Sequence, residues 1–283
     1  MNISKYSLLA CAFALPLTGL PTLKADIIVN ESFDYTPTGS PLDGQSGGTG
    51  WNDNPWLATN GATVSPENGL SHPGVYSSGS SLFTGNQSFR DININTPVTA
   101  SSGSIYVGYL VSQNAVAYTN IGIFNYTGSQ ETTFGDVWDG GSAPISNYGF
   151  RTNVGRLNGA PDLVTSTTPI DISGATHFMV MELDYSTPGQ TGVYVYLDPD
   201  TSSSALDHST AFGTFTLGEQ LQFDHIRVEN FSSAGTIDEI RIATSYGEIL
   251  SNIAVPEPST VALAGLGIFG MLFLVRRKRT TDS

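Results

Sequence analysis

The residues of this 283-residue chain that could do chemistry are few and oxygen-rich. Glu182-Leu183-Asp184 places two carboxylates on one face if it is a strand, because strand side chains alternate with period two. Two neighbouring acids are the equipment of glycoside hydrolysis, in which one donates a proton and the other attacks or activates water. Tyr185, Ser186, Thr187 and Pro188 follow with no further acid, so an exposed strand edge or half a cation site is the competing reading. His72, His177, His208 and His225 show neither metal-ligand spacing nor a His-Glu-x-x-His pattern, which argues against zinc. No Gly-x-Ser-x-Gly elbow raises a serine nucleophile, and Gly47-Gly48-Thr49-Gly50 lacks the strand-to-helix setting of a phosphate cradle.

Two further groups of residues suit binding. Asp136 and Asp139, and Asp198 and Asp200, offer hard oxygen ligands of the kind calcium takes, although neither pair follows an EF-hand or a calcium nonapeptide, and solvated turn acids are the alternative. Sugars stack on aromatic rings while nearby carboxylates and amides take their hydroxyls. Trp51 and Trp56 flank Asn52, Asp53 and Asn54, and Trp138 lies between Asp136 and Asp139. Each tryptophan could equally plug a core beneath a long loop. Tyr194 and Tyr196 alternate with Val193, Val195 and Leu197, so if the valines are core, the tyrosines line the opposite face.

The elements that must position these residues are strands. Ile105, Val107, Tyr109 and Val111 share one face of 104–112, and similar alternation runs through 192–197. Further strands are expected at 27–33, 88–94, 120–126, 148–152, 176–185, 222–229 and 236–243, punctuated by Gly, Pro, Ser, Asn and Asp. No amphipathic helix is expected between Asp26 and Ile253. Long polar connections at 37–50 and 128–147 favour an all-β fold, a two-sheet antiparallel jelly-roll sandwich, over a small barrel, and the absence of a fixed repeat argues against a propeller.

Both ends read as targeting segments. Lys5 and the apolar run 6–15 form a signal peptide with a small-residue cleavage point at Ala25, giving a leader at 1–25. Leu8-Leu9-Ala10-Cys11 leaves open a lipidated Cys11, the chain's one cysteine; if Cys11 leaves with the leader, disulfides and thiol chemistry are excluded. The body, 26–254, carries five arginines, no lysine and 23 acids, a formal charge of −18 that repels nucleic acid and anionic membrane. After it, 255–283 holds Pro256-Glu257-Pro258, an uncharged apolar run at 261–275 and the bases Arg276, Arg277, Lys278 and Arg279. As a helix the run covers about 23 Å, short of the ~30 Å hydrocarbon core, so it spans only with thinning or snorkelling. The bases stay cytoplasmic, which puts the body outside.

Pro256-Glu257-Pro258, the apolar helix and the basic tail resemble the PEP-CTERM sorting signal of Gram-negative bacteria. The resemblance implies an exosortase as processing partner, a transient inner-membrane stage, cleavage near Pro-Glu-Pro and delivery to the outer surface or matrix. The body also resembles exported proteins common in Verrucomicrobia and Planctomycetes. The likeness lies in Asn30-Glu-Ser-Phe-Asp-Tyr35, the stretch Leu42 to Trp51, 176–185, 193–199, Phe223-Asp-His-Ile-Arg-Val228 and Ile237-Asp-Glu-Ile-Arg-Ile242. That group implies a concanavalin A-like sandwich of LamG or glucanase type. Glucanases of that fold carry Glu-x-Asp-x-(x)-Glu on one strand, of which Glu182 and Asp184 are two thirds. The expected function is non-catalytic binding of carbohydrate or another envelope component, with a purely structural surface or biofilm protein second and a diverged glycoside hydrolase third.

Overall fold

The computed structural model describes residues 27–36, 39–51, 55–58, 62–65, 69–78, 81–83, 87–92, 102–113, 119–125, 130–138, 149–154, 175–211, 213–218, 220–230 and 235–251. In chain order the strands are β1 (Ile27–Glu31), β2 (Leu57–Ala58), β3 (Thr63–Ser65), β4 (Ser81–Phe83), β5 (Gln87–Asp91), β6 (Ser104–Gln113) and β7 (Thr119–Asn125). Then come β8 (Gln130–Trp138), β9 (Gly149–Val154), β10 (Thr176–Asp184), β11 (Thr191–Leu197), β12 (Gly213–Leu217), β13 (His225–Asn230), β14 (Gly235–Ala243) and a short helix, α1 (Tyr246–Leu250).

The strands form two antiparallel sheets packed as a jelly-roll sandwich. One has eight strands, ordered β12-β11-β10-β6-β14-β4-β3, with β1 sharing the far edge of β14; the other has six, ordered β2-β5-β13-β7-β8-β9. Sequence neighbours are often apart in space, as in β13 between β5 and β7, because a closed sandwich needs crossovers between sheets. The strand expectations hold in position for β1, β6, β10, β11, β13 and β14. β2, β3, β4 and β12 come from stretches where no strand was expected, and β8 from one read as a connection, since Gln130–Trp138 mixes polar and apolar residues and shows its strand only through pairing with β7 and β9. α1 corrects the expectation of an all-strand body: five residues are too few for a helical period to show, and it is held by burying Tyr246 and Ile249. The leader, the Pro-Glu-Pro element, the apolar run and the basic tail lie outside the described residues. Among those described, no helix is long and apolar enough to cross a membrane.

Alternation builds the core. Val107, Tyr109, Met181, Leu183, Val193 and Val195 face Ile121, Ile123, Ile226 and Val228 of the other sheet, all 0–1% exposed. In β14 the inward residues are Ile237, Ile240 and Ile242, spaced three and then two. A β-bulge between Asp238 and Arg241, with Glu239 at φ 52°, absorbs the extra residue and keeps all three isoleucines inside. Segment 47–51 runs beside β1, with Asn30 and Thr49 exchanging backbone hydrogen bonds of 3.0 and 2.8 Å. Gly50, at φ +84°, has no room for a side chain, as a Cβ there would sit 1.9 Å from the Ile28 carbonyl oxygen.

Candidate functional site

Glu182 lies on the outer face of the eight-stranded sheet, because Met181 and Leu183 point inward. Antiparallel register sets it between Tyr106 of β6 and Tyr194 of β11. Its Oε1 accepts hydrogen bonds from Ser104 Oγ at 2.7 Å and the Tyr106 hydroxyl at 3.2 Å. Oε2 accepts from the Tyr196 hydroxyl at 3.3 Å and His208 Nε2 at 3.2 Å. His208 starts a 3₁₀ turn, His208–Thr210, capped by Asp207, and its ring stacks on Tyr194 with centroids 3.7 Å apart. Burial and then the Glu182 charge push the Tyr106 hydroxyl up to about 12, and raise that of Tyr196 further. Both therefore stay protonated donors at neutral pH.

This arrangement holds a carboxylate firmly. It does not assemble an acid pair, since Asp184 accepts from Ser186 N at 2.8 Å and Ser186 Oγ at 2.9 Å and so serves the turn after β10. Tyr194 and Tyr196 do lie opposite the core valines, as expected, but a second apolar layer covers them. Leu110, Phe178, Val180, Tyr196, Tyr246 and Ile249 cluster outside the sheet beneath α1 and the loops at 69–78 and 198–211. Tyr196 is only 1% exposed, and one face of the Tyr194 ring is taken by His208, which corrects their reading as open sugar platforms.

Trp51 and Trp56 also need correction. They are 5% and 0% exposed and pack in the core with ring centroids 5.7 Å apart. Trp56 Nε1 donates to Glu31 Oε2 and lies near the Tyr35 hydroxyl, both at 3.1 Å, and Tyr35 donates to the same Glu31 oxygen at 2.8 Å. Arg90 completes the network with an ion pair to Glu31, its guanidinium 4.6 Å from the centroid of the Trp51 ring and 5.6 Å from that of Trp56. A buried pair of charges needs such partners, so the two rings are committed to the interior.

The calcium candidates diverge. Asp198, at φ 48°, accepts from Phe178 N at 2.8 Å and from His177 Nδ1 at 2.6 Å, and pairs with His72 Nε2 at 3.2 Å. Burial alone would raise its carboxyl, but the hydrogen bonds and imidazoles outweigh that and leave it lowered. Asp200 turns the other way, its Oδ1 accepting from Ser202 N at 2.8 Å and Ser202 Oγ at 2.6 Å. Among the described residues no three acids or histidines converge on a metal-sized site. Asp136 stands opposite Arg151 in the β8–β9 register, and Asp139 lies outside the described residues.

The outer side of the six-stranded sheet carries a different set. In β13, Ile226 and Val228 enter the core, which turns His225 and Arg227 outward between them. Register places Asp91 of β5 beside His225, joined through Nε2 at 2.5 Å, while Asp224 pairs with Nδ1. The Asp91 side chain is 43% exposed. In the β8–β9 backbone register, Trp138 stands opposite Gly149. Asp91, Asp224, Ser104 and Tyr106 carry no local motif in the sequence, and His208 and His225 stand out there only as histidines without metal-ligand spacing. For His225 a signal was present: 225–228 alternates polar with apolar residues, and Ile226 and Val228 are the core members.

Residues 254–279 match the PEP-CTERM protein-sorting motif. The motif marks an exported, exosortase-processed protein of Gram-negative type. No curated protein matches the chain. Among solved structures it is similar to the endo-β-1,4-glucuronan lyase of the fungus Trichoderma reesei, with 13% identity, TM-score 0.42, and 75% of this chain and 96% of that one covered. It is also similar to β-agarase A of Zobellia galactanivorans, with 13% identity, TM-score 0.43 and coverage of 76% and 89%. A third is the botulinum neurotoxin serotype D binding domain, with 10% identity, TM-score 0.40 and coverage of 81% and 50%.

Proposed function

We propose that this chain delivers a carbohydrate-binding sandwich to the outer cell surface or matrix, and that binding takes place on the outer side of the six-stranded sheet without catalysis. The observation that carries this is the Asp91 carboxylate, 43% exposed on that side and oriented by His225, which Asp224 holds at its other ring nitrogen, against the apolar layer that closes the outer side of the other sheet. A carboxylate held in this way exchanges hydrogen bonds with sugar hydroxyls, and the sheet fixes its place. With Trp51 and Trp56 in the core, Trp138 is the tryptophan left to supply a stacking ring. The non-catalytic reading rests on Glu182, whose carboxylate already takes four donors while Asp184 serves a turn.

The sorting motif accounts for delivery. In this reading 1–25 is removed on export, 26–254 is the mature body, and the apolar run is a handle for processing. Calcium, if bound, falls to the Asp136 and Asp139 segment. Glycan-array binding by the processed protein tests the proposal: Asp91→Asn or Trp138→Ala should abolish specific binding. A blank array, or binding untouched by both substitutions, would refute it and favour a structural surface protein.

A further inference from the structure

The body ends in a fastened element very close to its sorting signal. α1 buries Tyr246 and Ile249 against the outer face of the eight-stranded sheet, and Arg241 Nη1 donates to the Ile249 carbonyl at 2.7 Å. Arg241 is itself held by Glu239 Oε2 at 2.6 Å, the Tyr76 carbonyl at 2.6 Å and Asn30 Oδ1 at 3.2 Å. Tyr76 N donates to the Leu250 carbonyl at 3.1 Å, and Ser251 N to that of Glu248 at 3.4 Å. The chain is thus pinned to the sandwich as far as Ser251.

The sorting motif starts at residue 254. Three residues of fully extended chain span at most about 11 Å. An enzyme acting on a motif that begins there works beside the rim of the sandwich where α1 ends. The rim exposes Tyr76, 44% accessible, which with Leu57 makes up the exposed large hydrophobic side chains among the described residues. The Tyr76 backbone makes the hydrogen bonds to Arg241 and Leu250, and its ring adds a 5.9 Å contact with the Arg241 guanidinium. A half-exposed tyrosine beside a short tether is the kind of residue that anchors a protein contact.

We propose that this rim, centred on the Tyr76 ring and the end of α1, is a docking surface for the membrane-embedded sorting enzyme, which recognises the folded sandwich together with the Pro-Glu-Pro element. The test follows conversion of full-length precursor to processed protein in a host that carries the enzyme, for four chains. These are wild type, Tyr76→Ala, wild type with ten Gly/Ser residues inserted after Ser251, and the insertion combined with Tyr76→Ala. Tyr76→Ala should slow conversion about fivefold in the native-length chain. With the insertion the rim no longer has to touch the enzyme, so Tyr76→Ala should then have no effect. Equal rates for wild type and Tyr76→Ala would overturn the proposal, as would an equal slowing in both backgrounds, which would mark a general defect in folding or export. Glycan binding is not read in this experiment, so its result stands apart from the fate of the proposed carbohydrate site.

Discussion

Arg90→Met should destabilise the sandwich in a way that depends on pH. Arg90 and Glu31 are 2% and 1% exposed, and the substitution leaves Glu31 buried with three donors, Phe33 N, the Tyr35 hydroxyl and Trp56 Nε1, but no counter-charge. Removing one partner of a buried pair costs about 3–5 kcal/mol, which for a body of this size lowers the melting temperature by roughly 10 °C. Burial already holds the Glu31 carboxyl above its ordinary 4.5, with Arg90 the largest opposing influence. The folded chain therefore keeps a proton that the unfolded chain has lost, and Glu31 erodes stability as pH rises from 4.5 to its folded value. Without Arg90 that value climbs, so the erosion continues to higher pH and the deficit of the variant is larger at about pH 8 than at about pH 5. Glu31→Gln in the same chain removes the stranded charge and should recover about half of the loss. Urea unfolding followed by the fluorescence of Trp51 and Trp56, which lie against Arg90, measures each value. A loss below about 1 kcal/mol, or one that is the same at both pH values, would refute the reasoning.

Asp238 should add a second pH dependence of the same sign. Buried beside Glu239, its carboxyl is pushed up to about 9, so stability should fall as pH rises from about 4 towards 9, and Asp238→Asn should flatten that fall in a series of thermal melts. Gly50→Ala should cost more than about 2 kcal/mol in denaturant unfolding, since it combines a left-handed backbone with a Cβ driven into the Ile28 carbonyl. Trp56→Ala should cost about 3–5 kcal/mol, a core-sized loss that an exposed sugar platform would not show.

Much of this protein was legible in the chain because the relevant physics is local. Alternation at 104–112 and 192–197 put Ile105, Val107, Tyr109 and Val111 of β6, and Val193 and Val195 of β11, each on one face, and in the fold those faces meet the core. The sorting signal was legible for a similar reason, as an uncharged run between Pro-Glu-Pro and four bases needs no partner to be recognised. Period two does not say whether the other face meets water, and there the aromatic candidates went astray. Only the folded chain shows that a second apolar layer covers Tyr196, and that Arg90, far from Trp51 and Trp56 in sequence, draws both rings inside by pairing with Glu31. The Asp91–His225 pair is likewise a product of register, which brings Asp91 across from β5 to a histidine 134 residues later. Identity and alternation are carried by each short segment, whereas burial and neighbourhood depend on which segments the sandwich stacks together.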